Sequence, residues 1–254
     1  MLKSLSQALL AGFILLLPII PALAAEGDVV EDEELMRLLK LRVTSEPLAQ
    51  PQETRVDGVY QTRIGNRYGY LIEGGRYIVI GEMIDLKMAQ NLTELSHRNL
   101  VVEEFANFPS EGTIVFPAEK EERAVLNVLT DTSCGYCQVL HKEVKFLQAA
   151  GISVRYFPYP RGGSRGPGYD DLRRVWCSDD KREAMSIAKK ASPGELSENG
   201  ACAEAEAVDE GYKLGNRLGI NGTPALYAGS GAAFPGYVPY QQLVPQLVGP
   251  EQFQ

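Results

Sequence analysis

Two cysteines separated by two residues, Cys134-Gly135-Tyr136-Cys137, stand between an apolar run, Ala124–Leu129, and a stretch of helical periodicity from Gln138 to Ala150 that Gly151 closes. Strand, Cys-x-x-Cys and helix in that order constrain the chain more than any other feature. A cysteine in the first turn of a helix faces unsatisfied backbone N–H groups and the positive end of the macrodipole. Both favour thiolate over thiol and lower the cysteine pKa. A thiolate is the attacking species in disulfide exchange and also the better leaving group. Two intervening residues let the second sulfur reach the first and resolve a mixed disulfide. A zinc site and a purely structural disulfide are the other uses of such a pair. Cys177 and Cys202, 25 positions apart, form no second zinc knuckle, and neither His97 nor His141 stands at a familiar ligand spacing. Redox exchange by Cys134 and Cys137 is therefore expected, with no metal.

Residues 1–25 read as a cleavable signal peptide that exports the chain. Lys3 gives a positive start, Leu9 to Ile20 is apolar apart from Gly12 and Pro18, and Ala22-Leu23-Ala24 is a small-x-small cleavage signature. An uncleaved anchor is the alternative, against which Pro18, Pro21 and the alanine-rich end argue. Export implies a compartment that permits disulfides. There Cys177 and Cys202 read as a structural disulfide closing a loop, and neighbouring Trp176 as a core aromatic. Four cysteines are too few for a disulfide scaffold, so a hydrophobic core must carry the fold. With 25 Lys and Arg against 33 Asp and Glu, the net charge of −8 argues against a nucleic-acid partner. No flavin or nucleotide signature occurs, and no cofactor is expected.

Residues 28–43 look like a short amphipathic helix capped by Asp28, with Leu35, Leu38 and Leu39 on one face. Three short β runs follow, Val59–Ile64, Tyr68–Ile72 and Arg76–Ile80, separated by Gly65-Asn66 and Gly74-Gly75. So small a meander gains from burying a face or pairing an edge with a second copy, which makes oligomerisation an expectation. Met88, Leu92 and Leu95 predict a connecting helix over roughly 87–105, and Pro109–Gly112 marks the start of a second unit. That unit alternates in α/β fashion: a strand at Ile152–Pro158, helical stretches around 169–190 and 201–218, then Ala225–Tyr227 and a final strand and helix. Before the Ala225 strand stands Gly222-Thr223-Pro224, a place where either a cis proline or a trans turn proline occurs.

The segment Thr130-Asp131-Thr132-Ser133-Cys134-Gly135-Tyr136-Cys137 with Leu140-His141 resembles the active-site segment of DsbC-type periplasmic disulfide isomerases. So do Val154-Arg155-Tyr156 with Pro158 and Pro160-Arg161, Val175-Trp176-Cys177, Leu218 through Pro224, and Pro235-Gly236-Tyr237. The likeness is dense over about 120–245 and looser over 26–85. It implies a fold of α/β and α+β parts: a small cystatin-like dimerisation domain (26–86), a linker helix (87–110) and a thioredoxin-like catalytic domain with an inserted helical region (111–254). It implies that Cys134 attacks substrate, that Cys137 resolves the intermediate, that Thr223 and a cis Pro224 hold the substrate backbone, and that Cys177 and Cys202 form the structural disulfide. It further implies a periplasmic homodimer acting on misoxidised exported proteins and kept reduced by a DsbD-type membrane reductase.

Two features depart from the wider fold. Thioredoxin carries a buried Asp six positions before its first active-site cysteine; here that position is Val128, so proton transfer to Cys137 falls to another group or to water. The glycine-rich loop Arg161–Gly168 has two arginines that read as solvated, with contact to substrate as the alternative. The same motif also serves dithiol oxidases and reductases, a DsbG-like protector of single cysteines, or a holdase that binds unfolded clients.

Overall fold

The computed structural model describes residues 33–190, 196 and 199–249; the expected leader and the expected cap Asp28 lie outside them. Helix α1 (Glu33–Arg42) opens on Glu33 and Glu34 and closes on Lys40 and Arg42, charges that complement its dipole at both ends. Leu35 and Leu39, one turn apart, are buried against Leu71 of the sheet that follows. That sheet is antiparallel, in the order β1 (Gln52–Glu53), β2 (Val59–Ile64), β3 (Arg67–Ile72), β4 (Tyr77–Ile80). Gly65, at φ 58°, supplies the left-handed residue that turns β2 into β3. Among the described residues β4 is an unpaired edge, with Tyr77, Val79 and Ile80 exposed along it.

The connecting helix begins later than the spacing of Met88, Leu92 and Leu95 suggests. Residues 84–91 instead form a small hairpin, β5 (Ile84–Asp85) against β6 (Gln90–Asn91), and α2 runs Leu92–Ala106. The cause is local hydrogen bonding. Asp85 Oδ1 accepts the N–H groups of Lys87 and Met88 and closes a turn, and Asn91 Oδ1 accepts the Glu94 N–H at 3.0 Å and caps α2.

The second sheet has the order β11 (Ala233–Phe234), β10 (Ala225–Ala228), β8 (Ala124–Thr130), β9 (Ile152–Pro158), β7 (Ile114–Phe116). Only β8 and β9 are parallel, joined through α3 (Gly135–Ala149). Period-two alternation on β8 divides the core. Leu126 and Val128 pack with Leu140, Val144 and Leu147 of α3 and with Leu243 and Val244 of α7 (Tyr240–Val248). Leu129 faces the other way, with Phe157, towards α2 and α6 (Glu206–Arg217). Phe105 of α2 lies 4.6 Å from the Phe157 ring and 5.5 Å from that of Tyr227, so the end of the connecting helix is part of this second core. Arg63 of β2 donates to the Arg217 carbonyl at 2.8 Å, while Arg217 pairs with Glu104 of α2 at 2.7 Å.

Helices α4 (Tyr169–Trp176) and α5 (Lys181–Ala188) complete the packing on the α3 side. Trp176 is fully buried, and its indole N–H donates to the Gly112 carbonyl at 2.9 Å. Cys177 and Cys202 are joined in a disulfide with their Cα atoms 5.7 Å apart. Constraining a loop of this size in the unfolded chain contributes roughly 3 kcal/mol. Cys177→Ala is accordingly expected to lower unfolding stability by about that amount in urea, with exchange per folded molecule unchanged. A large loss of exchange in well-folded variant would contradict a purely structural bond.

Candidate active site

Strand β8 ends at Thr130 in the centre of the sheet, and α3 starts five residues later, so the intervening turn is held at the strand's carboxyl end. Cys134 is the N-cap of α3, with extended dihedrals (φ −90°, ψ 118°), and its Sγ accepts the Cys137 N–H at 3.3 Å. Both residues are thiols here; Cys137 lies one turn into the helix, almost wholly buried. The Thr223–Pro224 bond is cis, and the Thr223 carbonyl oxygen lies 3.1 Å from Cys134 Sγ. Thr223 Oγ1 is buried with no hydrogen-bond partner. A groove of about 290 Å³ lined by Ile220, Thr223, Pro224 and Phe234 opens beside this pair. Between the cysteines Tyr136, largely exposed, stacks on Tyr237 with ring centroids 5.7 Å apart.

The two sulfurs are electrostatically unequal. A hydrogen bond from Cys137 first, then the Cys137 N–H and the Arg161 charge, outweigh burial and bring Cys134 down to about 5. Burial drives Cys137 the other way, and its proton shared with Cys134 adds to the rise. One sulfur is thus a thiolate at neutral pH and the other a thiol. Such a pair can attack a disulfide through Cys134 and hold a proton on Cys137 until resolution.

Four residues around the sulfurs are given no part in the exchange chemistry by the sequence alone. Asp131, its side chain fully buried, takes the N–H and Oγ–H of Ser133 on Oδ1, and the N–H and Nε of Arg161 on Oδ2 at 2.9 and 3.1 Å. Burial alone would raise this carboxyl, but those donors hold it below its usual range. Arg161 is consequently tied to the active-site turn while its side chain stays 43% exposed. Gly168 packs so close to Asp131 and Thr132 that a side chain there has no room. His141, on α3, sits between Tyr156 OH at 3.2 Å and Ser186 Oγ at 3.1 Å; burial, with Lys189 and Lys190 nearby, lowers it to about 4. The fourth is Lys189, which follows α5 and is buried. The signal for Asp131 and Arg161 was present in the segments quoted above, but nothing in the spacing joined them.

The thioredoxin-like domain family matches residues 113–248, and the disulfide bond isomerase protein N-terminal domain matches residues 24–94. The thiol:disulfide interchange protein DsbC of Pasteurella multocida is 30% identical over 224 residues, covering 88% of this chain and 91% of that protein. Its namesake from Salmonella typhimurium is 34% identical over 173 residues, 66% of this chain and 67% of that one. Among solved structures, a disulfide interchange protein from Neisseria gonorrhoeae superposes with a TM-score of 0.46 at 23% identity, over 56% of this chain and 98% of that one.

Proposed function

The chain belongs to the DsbC family of thiol:disulfide interchange proteins, and from that premise we propose that it reshuffles wrong disulfides in exported proteins, using Cys134 as nucleophile and Cys137 as resolving thiol. The observation that carries this reading is the opposed ionisation of the two sulfurs, one brought down to about 5 and the other pushed up.

The Cys134 thiolate attacks one sulfur of a substrate disulfide, forming a mixed disulfide and expelling the other sulfur as thiolate. That freed thiolate can attack elsewhere in the substrate, and the rearranged substrate then expels Cys134 unchanged. Alternatively Cys137 displaces the substrate: Cys137–SH and the mixed disulfide become a Cys134–Cys137 disulfide and a substrate thiol, the Cys137 proton ending on the leaving sulfur. Cys177 and Cys202, already paired, take no part. Thr223 and Pro224 line the groove beside Cys134, where proline offers no N–H of its own to compete with the backbone of an extended substrate.

The exposed edge strand β4, with Tyr77, Val79 and Ile80, supports pairing with a second copy, giving a homodimer built on residues 26–86. The family points to the periplasm, with the leader removed on export, and to a DsbD-type membrane reductase that restores the dithiol. A linker over 87–110 and a catalytic domain over 111–254 complete this reading.

The test is refolding of a scrambled multi-disulfide protein by catalytic amounts of reduced full chain, beside Val79→Lys, which places a charge on the edge strand. Reshuffling by the dimeric wild type that falls severalfold in a folded monomeric variant supports a dimeric isomerase. Fast reduction of a simple disulfide by both, with reshuffling by neither, makes it a dithiol reductase instead.

A further inference from the structure

The turn that holds the two sulfurs has a cation built beneath it. Lys189 leaves the C-terminal end of α5, is only 2% exposed, and donates from Nζ to Thr130 Oγ1 at 2.7 Å and to the Asp131 carbonyl at 2.8 Å. The same Asp131 carbonyl accepts the Cys134 N–H at 3.2 Å, so one peptide oxygen joins the ammonium to the N-cap cysteine. Burying an ammonium without an anion costs several kcal/mol. Among the described residues Asp131 is the only carboxylate facing it, and it already has Arg161 and Ser133 on its two oxygens. The remaining described ionisable groups that act on Lys189 or feel it are Cys134, Cys137, Arg161 and His141, and His141 is held neutral by burial. Among the described residues around the sulfurs, one carboxylate therefore stands against two cations. Val128, at the position where a carboxylate would lie under the pair, is apolar core.

We propose that Lys189 is a positioning residue of the redox pair: a buried charge that is balanced by a thiolate in the dithiol state, is left unbalanced when the disulfide closes, and so favours the reduced site. This rests on Cys134 and Cys137 being the redox pair. Burial lowers the ammonium to about 8, with the Cys137, Asp131 and Cys134 charges opposing that fall. Lys189 thus sits where small changes in sulfur charge alter its own protonation. The linkage is reciprocal: whatever the ammonium does for the thiolate, the thiolate does for the ammonium. In the resolving step the cation also eases ionisation of Cys137 before it displaces the substrate sulfur. Sequence reading passes over it because Lys189-Lys190 resembles the solvated basic end of a helix.

The experiment equilibrates full-length wild type, Lys189→Met and Lys189→Arg with glutathione buffers and quantifies the Cys134–Cys137 disulfide. The same proteins are titrated by thiolate absorbance. Lys189→Met is expected to move the equilibrium about tenfold towards the disulfide and to raise the thiolate midpoint by about one unit, the scale of a single buried charge interaction. Lys189→Arg should restore most of both. A folded Lys189→Met with the wild-type equilibrium and midpoint overturns the proposal. If the wild type itself forms no such disulfide, the redox assignment of the pair fails instead. Should Lys189→Met not fold, the wild type answers by NMR. The Lys189 side chain should titrate at higher pH in the dithiol than in the disulfide state, and identical titrations in the two states overturn the idea.

Discussion

Replacing Cys134 by alanine is expected to abolish catalysed reshuffling, a loss on the order of 10³-fold or more because the covalent step itself disappears. Cys137→Ala should behave differently. It keeps the N-cap sulfur and the first attack, with less thiolate at neutral pH because the hydrogen bond from Cys137 is gone, and the substrate can still expel Cys134 by its own thiols. It loses the internal escape, so mixed disulfides with substrate should accumulate and be visible as covalent adducts by mass spectrometry. The asymmetry follows from placement. Cys134, 4% exposed, stands at the helix cap beside the Thr223 carbonyl, whose residue lines the groove, while Cys137, 1% exposed, lies one turn further in. The Cys134 variant also separates exchange from client holding. If it supports scrambled-protein refolding as well as wild type does, binding rather than thiol chemistry is the activity.

The second large effect is the pH profile of Cys134 alkylation in the dithiol form. With its pKa brought to about 5, chiefly by the hydrogen bond from Cys137, the sulfur should react with iodoacetamide at a plateau rate above about pH 6. The rate should fall about tenfold per unit below pH 5. An ordinary thiol near 8.5 is only about 3% ionised at pH 7, so the thiolate available at neutrality is about thirtyfold greater here. The same shift acts on stability. A depressed acid stabilises the folded dithiol fully above the unfolded value near 8.5, progressively less as pH falls, and not at all below about 5. Cys134→Ala lacks that contribution, so the gap between the two proteins in this pH window should close on acidification. A single alkylation midpoint near 8.5 would remove the electrostatic basis of the site.

Much of this was legible because the informative residues act locally. A strand, a two-residue cysteine spacing and a helix start are read from neighbours in sequence, and β9 occupies the expected Ile152–Pro158. The hairpin at 84–91 was hidden by an apolar spacing that satisfies a helix equally well, although Asn91 and Glu94 carried the capping pattern that places the true start. The charge cluster was illegible for a deeper reason. Asp131, Arg161 and Lys189 lie 30 and 28 positions apart along the chain and meet only once α4 and α5 fold back on the end of β8. Each alone has the composition of a surface residue. Burial of Lys189 is a tertiary fact that no window of sequence contains.

Trp176 has a practical corollary. It is the chain's single tryptophan, fixed in the core on the α3 side next to the Cys177–Cys202 bond and tethered to Gly112. The first sheet carries tyrosines instead, Tyr60, Tyr68, Tyr70 and Tyr77. Selective tryptophan emission therefore follows melting of the thiol-bearing half, while denaturation of the meander is optically silent in that channel. Comparing that emission with the far-ultraviolet circular dichroism of the whole chain reveals whether the two halves unfold as one cooperative unit or in succession.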